Sequence, residues 1–226
     1  MCCHPTADTL DDIPRTFNEK DPEMTSKVTL TKSAPKISLD KKTSQGTMRV
    51  NLNWRSETGQ KKGFFKRAAE NQIDLDLACL WEAKNGDKGV VQALGNSFGA
   101  TDRVPFLTLD GDDRSGSNTD GENLSINLDK FVTDMRRVLV FAYIYEGAPS
   151  WDKAAGVVTM YPADGSAPVE VNLDETDNGK RFCAVAMLTN DNGNVVVERE
   201  VKYIAGSQAQ LDAAYGWGMN WRPASK

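Results

Sequence analysis

Histidine is almost absent from this chain: the 226 residues contain one, His4, in a polar N-terminal stretch. Without an imidazole in the globular part, Ser-His and Cys-His nucleophilic pairs have no base. Zinc sites built on histidine are excluded on the same ground, and no closely spaced cysteine pair stands in for them. Cysteine itself is scarce, at four residues. Cys2 and Cys3 are adjacent in the N-terminal stretch, and Cys79 and Cys183 sit in apolar segments, so no disulfide framework is visible. Long apolar runs are missing too. The longest, residues 138–145, has eight residues and is too short to cross a bilayer as a helix. The N-terminus lacks the apolar stretch of a secretory signal, and the expected compartment is the cytoplasm. Basic excess is lacking: a formal charge of −5 leaves no footprint for nucleic-acid phosphates.

What is present is ordinary globular composition, 39% hydrophobic and 26% charged, in a length suited to one domain. Residues 1–23 are polar, carry Pro5, Pro14 and Pro22, show no periodicity and read as a disordered extension. Residues 24–226 form the expected domain, with Met24 as the expected natural start. From Lys27 onward, short apolar-alternating segments recur between turn signals, the pattern of an all-β sandwich. Met48, Val50, Leu52 and Trp54 alternate with polar residues, as do Ile73, Leu75, Leu77, Cys79 and Trp81. Residues 138–145 and 182–188 are continuously apolar and suit central strands. Asn85-Gly86, Asn178-Gly179 and Asn192-Gly193 mark hairpins. Short peripheral helices are expected near residues 150–155 and 208–215.

The richest chemistry lies in the run Asp110-Gly-Asp-Asp-Arg-Ser-Gly-Ser-Asn-Thr-Asp-Gly-Glu122, where five acidic side chains face one arginine. Carboxylates, Asn oxygens and backbone carbonyls turned by Gly111, Gly116 and Gly121 are the hard donors that Ca2+ takes. An EF-hand needs glycine sixth and glutamate twelfth; counting from Asp110, those places hold Ser115 and Gly121. The flanks, residues 104–109 and 124–128, look like strands, which makes this an interstrand loop. Asp74 and Asp76 alternate onto the face opposite Leu75 and Leu77, roughly 7 Å apart. If the loop folds over that strand, the candidate donors are Asp74, Asp76, Asp110, Asp112, Asp113, Asp120 and Glu122, enough for one or two Ca2+ ions. By spacing alone, the loop reads equally well as a solvated acidic turn.

Several runs, in order, resemble the TerD family of tellurium resistance proteins in its actinobacterial form. They are Ile73-Asp-Leu-Asp-Leu-Ala-Cys79, Val91-Gln-Ala-Leu-Gly-Asn96, Gly111-Asp-Asp-Arg-Ser-Gly116, Gly121-Glu-Asn123, Phe141-Ala-Tyr-Ile-Tyr-Glu-Gly147 and Tyr215-Gly-Trp-Gly-Met-Asn-Trp221. The resemblance implies a β-sandwich that binds calcium through acidic loops, without catalytic activity, in proteins linked to tellurite resistance and stress. By position it favours Asp76, Asp112, Asp113, Asp120 and Glu122 as ligands and ranks Asp74 and Asp110 below them. The implied role is a non-enzymatic scaffold or sensor whose partners are other tellurium-resistance or stress-complex proteins.

Two alternatives arise from the residues. Lys61, Lys62, Lys66 and Arg67 interleave with Phe64 and Phe65, a pattern for contact with an anionic membrane, which would make the protein a calcium-dependent peripheral module. Cys79 and Cys183 would be the thiols of a tellurite-reducing enzyme, but their apolar neighbours point to buried, inert sulfur. Tyr215, Trp217, Met219 and Trp221 read as one packed face closing the sandwich, with an aromatic ligand surface as the rival.

Overall fold

The computed structural model describes residues 26–39, 43–54, 73–111, 121–147, 150–174, 176 and 179–223. The extension at 1–23, the basic-aromatic stretch at 61–67, Asn178, and Asp112, Asp113 and Asp120 of the acidic run lie outside them. In chain order the strands are β1 (Val28–Thr29), β2 (Lys36–Ser38), β3 (Thr47–Asn53), β4 (Asp74–Ala83), β5 (Lys88–Val91), β6 (Gly99–Ala100) and β7 (Leu107–Leu109). They continue as β8 (Glu122–Asn127), β9 (Met135–Glu146), β10 (Gly156–Tyr161), β11 (Val169–Leu173), β12 (Phe182–Asp191) and β13 (Asn194–Ile204). Three short helices are α1 (Leu128–Asp134), α2 (Trp151–Ala154) and α3 (Gln208–Tyr215).

The strands form two sheets, of seven strands in the order β1-β11-β10-β3-β8-β7-β6 and of six in the order β2-β13-β12-β9-β4-β5. Their inward-facing residues share one core. Met48, Val50 and Leu52 of β3, with Leu124 and Ile126 of β8, meet Leu75, Leu77 and Cys79 of β4, with Val138 and Val140 of β9. This is the sandwich that the period-2 patterning predicts. The continuous apolar runs are β9 and β12, adjacent and central as expected. The tight turn between β12 and β13 places Asn192 at φ 52° and Gly193 at φ 87°, both left-handed, which the Asn-Gly pair tolerates.

Three expectations need correction. The alternation along residues 73–81 suggests one wet face, yet β4 is buried on both sides, because a second apolar cluster covers the outer face of the six-stranded sheet. Ala78 and Leu80 of β4 and Phe141 of β9 pack there against Leu211 of α3 and Trp217. The aromatic C-terminus therefore packs on the outside of a sheet and does not close the sandwich as a strand. The strand-like flanks of the acidic run also have other bounds than expected: the first is shorter, and the second begins earlier, at Glu122. Val104 is exposed and β7 starts only at Leu107, while β8 ends at Asn127 and hands over to α1 at Leu128. Helix α1 starts where the Asn127 side chain accepts from Lys130 N at 3.1 Å, an N-cap. It buries only Leu128 and Phe131, too few positions to show a helical period in sequence.

Candidate cation site at the acidic loop

Residues 110–121 connect β7 to β8, an antiparallel pair, so the acidic run is an interstrand loop. Its stem is fastened by one residue pair. Asp110 N donates to Asn123 O at 2.9 Å, and Asn123 returns its backbone N–H to Asp110 Oδ1 at 3.0 Å and its amide to Oδ2 at 2.8 Å. Arg49 and Asn51 of β3 both donate to Asn123 Oδ1 at 2.9 Å. Both oxygens of Asp110 thus serve as a clamp on the loop's base. At the other end, Gly121 has φ 60°, and a Cβ on it would lie 2.2 Å from Leu52 O of β3. Only glycine fits there, and the chain re-enters β8 along one fixed path.

That path delivers Glu122 inward. Along β8, Glu122, Leu124 and Ile126 face the core while Asn123, Ser125 and Asn127 are half-exposed, leaving the Glu122 carboxylate 1% exposed. Its Oε2 accepts from Leu77 N of β4 at 2.6 Å. The reason lies in strand length: β5 pairs with β4 only from Cys79 to Glu82 and stops short of Leu77. A side chain from the opposite sheet fills that place in the ladder. The C-terminal end of the loop therefore meets the strand that carries Asp74 and Asp76.

Asp76 is fully buried, paired in register with Tyr143 of β9, on the face of β4 that also presents Ala78 and Leu80. Asp74 is 3% exposed, and a register irregularity between Asp74 and Leu75 interrupts its ladder, so simple alternation does not extend to it. Neither carboxylate faces water, as a solvated acidic sheet would require. Burying ionised carboxylates is costly unless hydrogen bonds or a cation offset it. The donors here are hard oxygens, the type suited to Ca2+. Cys79 of the same strand points into the core, where burial pushes its thiol up to about 12. Among the described residues, no three His, Cys, Asp or Glu side chains converge as a metal-ligand set.

Sequence reasoning missed a second polar constellation, which holds the C-terminus down. Glu82 of β4, with a side chain 5% exposed, receives Arg137 Nε at 2.6 Å and Arg136 Nη1 at 2.9 Å. Arg137 also stacks on Trp217, with Cζ 3.8 Å from a ring centroid, and donates to Tyr215 O at 3.1 Å. Trp217 Nε1 donates to Trp81 O at 3.0 Å. Asp212 accepts from Gly218 N at 2.7 Å, Met219 N at 2.9 Å and Trp221 Nε1 at 3.0 Å. Charged residues inside strands and helices carry no sign of burial in sequence; the Arg136-Arg137 pair beside an apolar run was the only hint.

Burial acts to raise the Glu82 carboxyl, but the hydrogen bond and charge of Arg137, with Arg136 and Lys88, outweigh it and leave the group below the ordinary glutamate value. A depressed folded value means that the contribution is complete above the unfolded value, about 4.3, and is lost as pH falls through the lower folded value. Glu82→Gln should therefore be less stable than wild type at pH 7, with the difference narrowing as pH drops below about 4. Urea denaturation at several pH values measures this, and a gap that stays constant would contradict it.

No family model matches the chain. Among curated proteins, tellurium resistance protein TerA of an Alcaligenes species is 46% identical over 204 residues, spanning 89% of this chain. Over that span the chain is similar to a tellurium resistance protein. It spans 59% of the length of that TerA relative. Two solved structures share the fold. One, a protein of unknown function, has a TM-score of 0.55 at 15% identity and covers 78% of this chain and 99% of its own. The other, a Streptomyces coelicolor homologue of telluride resistance protein (TerD), has a TM-score of 0.50 at 19% identity and covers 75% of this chain and 95% of its own. The link to TerD is thus one of fold, and the sequence identity runs to TerA. Among the described residues, no helix is long and apolar enough to cross a membrane.

Proposed function

We propose that this tellurium-resistance relative is a calcium-binding, non-enzymatic scaffold or sensor that acts in tellurite resistance and stress response. The observation that carries the reading is that Glu122, at the end of the acidic loop, reaches Leu77 N of β4, the strand on which Asp74 and Asp76 are buried. In this reading Asp76 and Glu122 hold the ion together with Asp112, Asp113 and Asp120 of the loop, and Asp74 supports them. Asp110 shapes the loop from its base through Asn123. The bound ion would supply the positive charge that makes a group of buried carboxylates stable. A role without catalysis agrees with two buried thiols, Cys79 and Cys183, and with a domain that has no histidine. Its partners would be other tellurium-resistance or stress-complex proteins, met in the cytoplasm.

Titration calorimetry on chelator-stripped protein tests the reading directly. Calcium is expected to bind saturably with one or two ions per chain, and magnesium, which keeps its waters and needs stricter octahedral geometry, more weakly. Absence of calcium heat at millimolar ion would sink the proposal.

A further inference from the structure

The aromatic C-terminal motif divides into two parts. Trp217 is 1% exposed and belongs to the outer core, whereas Trp221 lines a cavity of about 380 Å3. This is within the range of small-molecule pockets, about 300–1,000 Å3. We propose that this cavity binds a small organic anion with a flat ring, an assignment that goes beyond the calcium reading and does not depend on it.

Four features give the cavity a defined chemistry. First, the Trp221 indole is fixed: its Nε1 donates to Asp212 Oδ2 at 3.0 Å, and Asp212 holds the preceding turn through Gly218 N and Met219 N. A ring immobilised before binding is a stacking platform that costs no ordering entropy when a ligand arrives. Leu94 adds an apolar wall.

Second, Gln92 is 5% exposed and lines the cavity with a partly used amide. It gives one amide hydrogen to Leu94 O at 3.3 Å and accepts one from Gln208 Nε2 at 3.2 Å. A primary amide has two hydrogens and two acceptor lone pairs, so one of each remains for a ligand. Third, Arg222 lies at the cavity exposed and forms no ion pair or hydrogen bond among the described residues. A guanidinium in that state is a ready fork for a carboxylate or phosphate. Fourth, the first turn of α3 borders the cavity, and its dipole adds to the preference for negative charge. The helix end is an addition to the arginine and the buried amide, which define the polar side of the site.

A flat ring on Trp221, an anion on Arg222 and an in-plane polar contact to Gln92 describe one ligand class. Carboxylates and phosphates share the anionic chemistry, and the probes separate them. The test is nitrogen-15 NMR of the full chain in chelator, titrated with 2-naphthoate, 2-naphthyl phosphate and, as an uncharged control, 2-naphthamide. At least one anion is expected to shift the Trp221 indole and Gln92 side-chain resonances saturably, with the amide about tenfold weaker. The tighter anion identifies the head group. Arg222→Gln, at a residue with no hydrogen-bond or ion-pair partner among the described residues, should bring the anion down to the level of the amide, with the Trp217 indole resonance unmoved as the check on folding. Two outcomes overturn the proposal: no saturable shift at Trp221 and Gln92 with either anion, or an R222Q titration that superimposes on wild type. Because chelator is present throughout, neither outcome bears on the calcium site.

Discussion

Saturating calcium is expected to raise the thermal midpoint of chelator-stripped protein by roughly 5–10 °C. A ligand that binds only the folded state at a hundred times its dissociation constant adds about 2.7 kcal/mol. For a domain of this size, each kcal/mol moves the midpoint by about 2–4 °C. Asp76→Ala should lose most of the shift, since it removes a donor that is already desolvated. Asp112→Ala should do the same from the loop side. Asp191→Ala, at the exposed turn between β12 and β13, should leave the shift intact. Asp110→Ala separates positioning from ligation. It should lower the midpoint in chelator, because the clamp on Asn123 is gone, while calcium still raises it. Melting curves that coincide in calcium, magnesium and chelator would refute the site.

The second large effect concerns the outer face of the six-stranded sheet. Trp217→Ala should cost about 3–5 kcal/mol, the range for removing a fully buried large aromatic. More than volume is lost: Trp81 O loses its indole donor, and the Arg137 guanidinium loses the ring it stacks on. Arg137→Ala should also be strongly destabilising, since it removes the closest ion pair of the buried Glu82 and leaves the exposed Arg136 and the more distant charge of Lys88. Arg136→Ala, whose side chain is 69% exposed, should cost at most about 1 kcal/mol. Chemical denaturation of the three variants tests the ranking. Equal costs for Arg136 and Arg137 would show that the latch does not work through Trp217.

The sandwich was legible in sequence because its signal is periodic. Met48, Val50 and Leu52 alternate, and β9 and β12 are continuously apolar because both of their faces are covered. What covers the second face was not legible. Leu211 and Trp217 reach the outer sheet from a helix and a coil, and the odd-numbered spacing of Tyr215, Trp217, Met219 and Trp221 shows a packed face without showing which side of the sheet it covers. Composition and loop length singled out the acidic loop, and Glu122 at its end does meet β4. The hydrogen bond to Leu77 N was not foreseeable, because it depends on where β5 stops, and strand ends are set by tertiary pairing rather than by local propensity. The clamp role of Asp110 was not legible either, since spacing along the chain cannot show that Asn123 folds back to donate to both of its oxygens. Asp212 and Glu82 were overlooked for the opposite reason: a buried carboxylate and a solvated one look the same in sequence.

The way the acidic loop is seated has a consequence for protein engineering. Its two ends are held by Leu52 O and Asn51 on β3, by Leu77 N on β4 and by Asn123 on β8, all outside residues 110–121. Transplanted between two strands of another scaffold, the loop would arrive without the carbonyl that fixes Gly121 and without the amide that receives Glu122. It is therefore not a portable cassette: a host would have to supply two facing sheets at the same separation, with one strand left unpaired at the matching position.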